Sequence, residues 1–330
     1  MSRYLHCRAL LGALVINLVL MLEGAFADDS CFYRDERGVI HTAHSREQVP
    51  EQFREVSQCQ KVAPSRISAD RVTVSGNVRA VDMATPLGRV LLRWPRALEK
   101  LFSRTPERAM LDAMKTVSKA VRSGGFPAQV ATLDMEWRIV FLDQDLPEVQ
   151  IPPQVVSNCH PGWMYPPADI FIVAQRVAAG CSGTSVDKSQ ADRALAQVLV
   201  HEIGHAIEFA LLKGFGADDG VRAEGFARWF EGFAGRYSGL INSSATIDGY
   251  KQEALLAFQS GARGFSFSGI SSDYAVGAIY FRLLELKRGV PGIMQLYSQE
   301  LIRGGRFVDT VRKQFAWSDE RWIKEFKGIE

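Results

Sequence analysis

The run His201-Glu202-Ile203-Gly204-His205 restricts the fold more than any other part of the chain. It sits inside Ser189–Lys213, whose apolar pattern predicts a helix, opened by Ser189 and Asp192 as a capping box and stopped by Gly214 and Gly216. Histidines four apart on a helix share one face, a turn apart. Two imidazoles placed so can reach one tetrahedral Zn2+ at ~2.0–2.1 Å. Glu202 lies about 100° around the helix from His201, which suits a general base acting on a water rather than a ligand. Gly204 leaves one side of the helix bare for close packing beneath the site. With six His and nineteen Glu in 330 residues, chance supplies roughly 0.006 such arrangements. The competing reading is an amphipathic helix with two exposed histidines.

A catalytic zinc needs a third protein ligand and one open position. The metzincin spacing asks for His six residues after His205 and Gly three after it, but Leu211 and Glu208 stand there. A glutamate on the next helix fits better: Glu224 lies nineteen positions beyond His205, in Ala223-Glu224-Gly225-Phe226-Ala227-Arg228-Trp229-Phe230. With that second motif the chain resembles the gluzincin metallopeptidases, the thermolysin-like superfamily, whose pattern is Asn-Glu-Gly-Leu-Ala-Glu-Tyr-Phe. Glu224, Gly225, Ala227 and Phe230 match, and Trp229 replaces Tyr. The resemblance spans roughly 130–300. It implies His201, His205 and Glu224 as zinc ligands, Glu202 as catalytic base, and an α+β zincin-like fold with a small mixed sheet and a mostly helical C-terminal half.

Arg228 departs from the family's acid, which in thermolysin-like enzymes often orients a ligand. Glu231, one turn on, is the candidate for that role, against a surface salt bridge or a substitute third ligand. Asp218 and Asp219 are read as helix caps or, alternatively, as Asp-type ligands. In the superfamily a strand at the cleft edge binds extended peptide, and Asp169–Val173 is expected there, with an interior strand as the alternative. For the oxyanion donor that such sites carry, Tyr274 is the first candidate and Tyr250 and Tyr280 the next. Gly261–Ser272 reads as a flap.

The N-terminus reads as a secretory signal peptide over residues 1–27. Arg3 and Arg8 precede the apolar run Ala9–Leu22, and Ala25-Phe26-Ala27 supplies the cleavage site. Fourteen residues reach only ~21 Å, short of a ~30 Å hydrocarbon core. No later segment is apolar for 18 residues, so no integral membrane segment is expected after cleavage. Export makes the chain periplasmic or extracellular. Cleavage removes Cys7 and leaves Cys31, Cys59, Cys159 and Cys181. An exported chain with four Cys favours disulfides, with Cys31–Cys59 and Cys159–Cys181 preferred among three pairings. A net charge of +2 gives no reason to expect nucleic acid as a partner.

Residues 28–60 read as a strand–turn–strand module. They resemble a short β-module of unknown function at the N-terminus of bacterial envelope proteins. Residues 61–86 are expected to be a linker, and 87–330 the metallopeptidase domain. Within it the expected elements are a helix pair over 87–102, a helix at Pro106–Arg122 capped by Thr105 and Gly124, and strands at Met135–Leu142 and Asp169–Val173. Helices follow beyond Lys188. The expected function is zinc-dependent hydrolysis of a peptide or protein, by an endopeptidase rather than an exopeptidase. A catalytically silent envelope module is the alternative from another class. Glu202 speaks against the silent form, because loss of the base is the direct route to inactivity.

Overall fold

A computed structural model describes residues 29–34, 40–43, 46, 49–55, 58–61, 68–69, 72–74, 76–143, 160–180, 187–213, 219–259, 271–303 and 306–328. The expected signal peptide, Cys159, Cys181, Gly214, Gly216, Asp218 and most of Gly261–Ser272 lie outside them. The chain divides into a small N-terminal unit, which includes 42–61, and a main unit containing everything from 68 onward.

The N-terminal sheet has the order β2-β1-β3, from β1 (Asp29–Arg34), β2 (Ile40–Ala43) and β3 (Gln58–Lys61). The first two strands are those read from the sequence; β3 was not foreseen. Antiparallel register sets Cys31 directly opposite Cys59, a backbone placement of the kind a cross-strand pair requires.

The main unit is α+β. Its five-stranded mixed sheet runs β4-β5-β6-β8-β7, from β4 (Val78–Thr85), β5 (Gly88–Pro95), β6 (Met135–Leu142), β7 (Gly162–Tyr165) and β8 (Asp169–Val173). β5, β6 and β8 are parallel to one another, while β4 and β7 pair antiparallel at the two ends.

Three segments depart from the pattern expected of them. Residues 78–85 of the expected linker form β4. The expected helix pair over 87–102 is instead β5 followed by a 3-10 turn at Arg96–Leu101. There Val90, Leu92 and Trp94 are buried while Arg89 is exposed and Leu91 and Arg93 are half-buried. That is a period of two, masked in sequence by the mix of leucine and arginine. Finally, Asp169–Val173 is an interior strand buried throughout, and among the described strands the edge belongs to β7, in the proline-rich stretch read as a loop.

Alternation sorts the sheet into two faces. Leu92, Trp137, Ile139, Phe141, Ile170 and Ile172 join the main core, which also includes buried residues of the helices. Val140, Leu142, Trp163, Phe171 and Val173 face Ala69, Val72 and Val74. This covering segment is held by polar contacts: Arg93 donates to the Ala69 and Val72 carbonyls, and the Ala69 N–H donates to Asp169 Oδ2.

The helices are α1 (Pro106–Ser123), α2 (Ala128–Ala131), α3 (Ala174–Ala179), α4 (Lys188–Leu211), α5 (Gly220–Gly235), α6 (Ser243–Gln259), α7 (Ser271–Gln299), α8 (Phe307–Phe315) and α9 (Asp319–Lys327). In α1, Thr105 accepts from the Arg108 N–H, and Gly124 is the C-cap, as expected. α4 is capped by Asp187, which accepts from the Gln190 N–H, rather than by Ser189; Asp192 accepts from the Ser103 N–H instead. α7 breaks at Gly289, whose φ of 67° takes the chain out of helix just before Pro291. Among the described residues no helix is long and apolar enough to cross a membrane.

Candidate metal centre

Two close helix crossings build the site. A Cβ on Gly204 of α4 would stand 3.3 Å from the Ala227 Cα, so α4 meets the backbone of α5 there. Gly225 of α5 is packed tighter still: a Cβ there would come within 2.6 Å of Gly277 Cα on α7. The first crossing faces His201 and His205 toward Glu224. The second brings Tyr274, one turn before Gly277, near the same glutamate. The small residues are therefore what allows three helices to share one site.

His201 and His205 present Nε2 atoms 3.1 Å apart. Glu224 places Oε2 3.4 Å from His201 Nε2 and Oε1 3.7 Å from His205 Nε2. Tetrahedral coordination at ~2.0–2.1 Å separates ligand atoms by roughly 3.3 Å, so the trio is spaced for a small cation. These three form a group able to hold a metal ion, as the sequence reading named them. Glu224 Oε2 is buried without a hydrogen bond of good geometry, a cost that a cation would remove. Two carboxylates, Glu224 and Glu231, stand against the two imidazoles, a charge balance that also fits a dication.

Electrostatics differ sharply between the members. Burial pushes the Glu202 carboxyl up to about 8, and Glu224 and Glu231 add to that, while His201 opposes it. Burial lowers His205 to about 4. Burial also opposes charge on His201, yet Glu224 and Glu231 outweigh it and raise the imidazole to about 10. Glu224 is lowered to about 2, because His205 and His201 overcome its burial.

Glu231 is buried behind His201. Its Oε1 lies 2.7 Å from His201 Nδ1, while Oε2 accepts from the Tyr250 hydroxyl and from Gln197 Nε2, each at 2.6 Å. The carboxylate fixes the ring so that Nε2 faces the cluster. Neither the surface-salt-bridge reading nor the substitute-ligand reading of Glu231 survives this placement. Asp219 caps α5 and accepts from the Phe307 N–H, so it is no ligand.

Glu202 is buried beside β7. A Cβ on Gly162 would lie 2.9 Å from Glu202 Oε1, so the strand passes close over the carboxyl. Tyr274 stands where the Glu224 charge reaches it, and burial first, then Glu224, raises its phenol. Tyr250 is committed to Glu231. Tyr280 packs among Phe307, Trp322 and Phe326, away from the cluster.

Sequence reasoning missed three residues here. His160, two before Gly162, puts its ring 6.1 Å from that of Tyr274 and feels Glu224 and His201. Nothing local marks it, since it reaches the site through the β7 pairing. Gln197 was legible in principle, being one turn before His201 on the same face. Gly162 shows only through the strand it opens.

Compared with protein-family models and with curated proteins, the chain matches none.

Proposed function

We propose that this chain is an exported zinc metallopeptidase of the gluzincin type, acting on peptide or protein substrates. The observation that carries the reading is the His201, His205 and Glu224 cluster, with Glu202 buried beside it and His201 oriented by Glu231. Two nitrogens and one carboxylate oxygen are a donor set suited to Zn2+, and three ligands leave a position for chemistry. A bound zinc would polarise a scissile carbonyl and acidify a water.

The remaining work falls to the chain itself. Glu202 takes the proton from the attacking water and delivers it to the departing nitrogen. Tyr274 donates its O–H to the oxygen that becomes negative. β7, last in the sheet, offers main-chain groups to an extended peptide by strand addition. Gly162, which carries no side chain and passes close to Glu202 Oε1, lets that peptide lie near the carboxyl.

Glu202→Gln tests the reading. The variant is expected to keep its fold and one zinc per chain while losing hydrolysis of a peptide library by about a thousandfold or more. A variant as active as wild type would overturn it. Glu224→Ala is expected to lower zinc occupancy.

A further inference from the structure

Arg228 stands where the resembling peptidases carry an acid, and its surroundings give it a different task. It lies four residues after Glu224 on α5, so both side chains leave the same face of the helix. Its guanidinium carbon is 5.1 Å from the Tyr274 ring centre and 4.8 Å from that of Tyr250. Nη1 donates to Glu253 Oε2 at 3.0 Å. Arg228 is mostly buried, whereas Glu253 is 42% exposed.

The two tyrosines differ in what remains for them to do. The Tyr250 hydroxyl is spent on Glu231. Tyr274 lies in the field of Glu224 and Asp273, and both carboxylates oppose negative charge at its phenol. Arg228 acts in the opposite sense. An arginine also does something a lysine cannot, because its flat guanidinium stacks on an aromatic face while remaining charged. With Glu231 holding His201, position 228 no longer needs an acid to orient that ligand.

We infer that Arg228 is a positioning residue for Tyr274: set over the ring, it holds the phenol toward the metal cluster and offsets the Glu224 carboxylate where an oxygen gains negative charge. This rests on the metallopeptidase reading. The competing explanation is a packing ion pair with Glu253 that serves only to join α5 to α6.

A double-mutant cycle in the full-length mature, zinc-loaded protein separates these. The readouts are metal content, kcat and KM on a peptide selected from a library, and the Kd of the same peptide with a phosphinate in place of the scissile amide. Arg228→Gln is expected to lower kcat about tenfold with KM nearly unchanged and zinc stoichiometry intact, and to weaken phosphinate binding in parallel. Tyr274→Phe is expected to cost roughly a hundredfold. The double variant is expected to lose no more than Tyr274→Phe alone. Arg228→Lys, which keeps the charge and the fold while losing the flat stack, should recover part of the loss.

Losses that multiply in the double variant would overturn the inference while leaving the peptidase reading in place. So would a Glu253→Gln variant that reproduces the Arg228→Gln loss, since the ion pair would then be the cause. A wild-type protein that neither cleaves peptides nor binds the phosphinate would overturn both.

Discussion

His201 Nδ1 and Glu231 Oε1 lie 2.7 Å apart, joining residues thirty positions distant in the chain. The contact settles which imidazole nitrogen faces the cluster. If the cluster holds a metal, Glu231 would set its affinity without being a ligand. Replacing Glu231 by Gln keeps the shape but removes the charge that holds the ring. Metal affinity is expected to fall 10- to 100-fold, read by competition with a chromophoric chelator. Glu231→Ala should in addition destabilise by about 1–3 kcal/mol, because it strands the buried Tyr250 hydroxyl.

Metal binding should release protons. In the metal-free chain Glu224 and Glu231 hold His201 protonated up to about pH 10, against the opposing effect of burial. A metal on Nε2 must displace that proton. A raised pKa of this kind favours the folded, metal-free chain fully below the unfolded value of 6.5, and the advantage is lost as pH rises through about 10. Because the metal must displace that proton from the folded chain, metal affinity climbs as pH rises toward about 10 and levels off above it. Calorimetry in buffers of different ionisation enthalpy should show a net release of at least about one proton per metal at pH 7. A pH-independent affinity over that window would contradict the assignment.

Gly162→Ala probes the closeness of β7 to Glu202, the proposed base. Its Cβ would stand 2.9 Å from Glu202 Oε1, 3.0 Å from Val198 Cγ1 and 3.1 Å from Ile172 Cδ1. Two of these neighbours are packed aliphatic atoms, so the carboxyl is the group able to move. The expected result is at least a tenfold loss of kcat with unchanged metal content.

Gly225→Ala probes the α5–α7 crossing. The new methyl would meet the Gly277 backbone at 2.6 Å, which cannot yield as a side chain would. A loss of about 1–3 kcal/mol is expected, measured by urea denaturation. Metal affinity should fall with it, since Glu224 is the adjacent residue.

At the other end of α4, Arg222 Nε donates to Glu208 Oε1 at 2.8 Å, and the Tyr297 hydroxyl donates to the same oxygen at 2.6 Å. All three side chains are buried. Arg222→Met alone should cost about 3–5 kcal/mol by leaving a buried carboxylate unpaired. Pairing it with Glu208→Leu should recover much of that, as thermal melting would show.

Local spacing was enough to place several parts of this protein. The four-residue step from His201 to His205 depends only on helical geometry, so the sequence reading placed both on one face correctly. The caps at Thr105 and Asp219 likewise follow from a side chain meeting an N–H three residues on. Met135–Leu142 and Asp169–Val173 were legible as strands from their β-branched and aromatic runs.

What tertiary structure alone decided are relations between segments far apart in the chain. Val90, Leu92 and Trp94 become a strand because β4 and β6 pair on either side, and 87–102 has no local signal strong enough to say so. Whether Asp169–Val173 is an edge or an interior strand depends on where β7 lands. Glu231 rather than residue 228 supports His201, because the α4–α5 crossing at Gly204 and Ala227 fixes which turn of α5 lies behind the imidazole. Helix and strand periods are properties of one segment and can be read along it. Crossing points and strand order arise from packing between segments, and no single segment contains them.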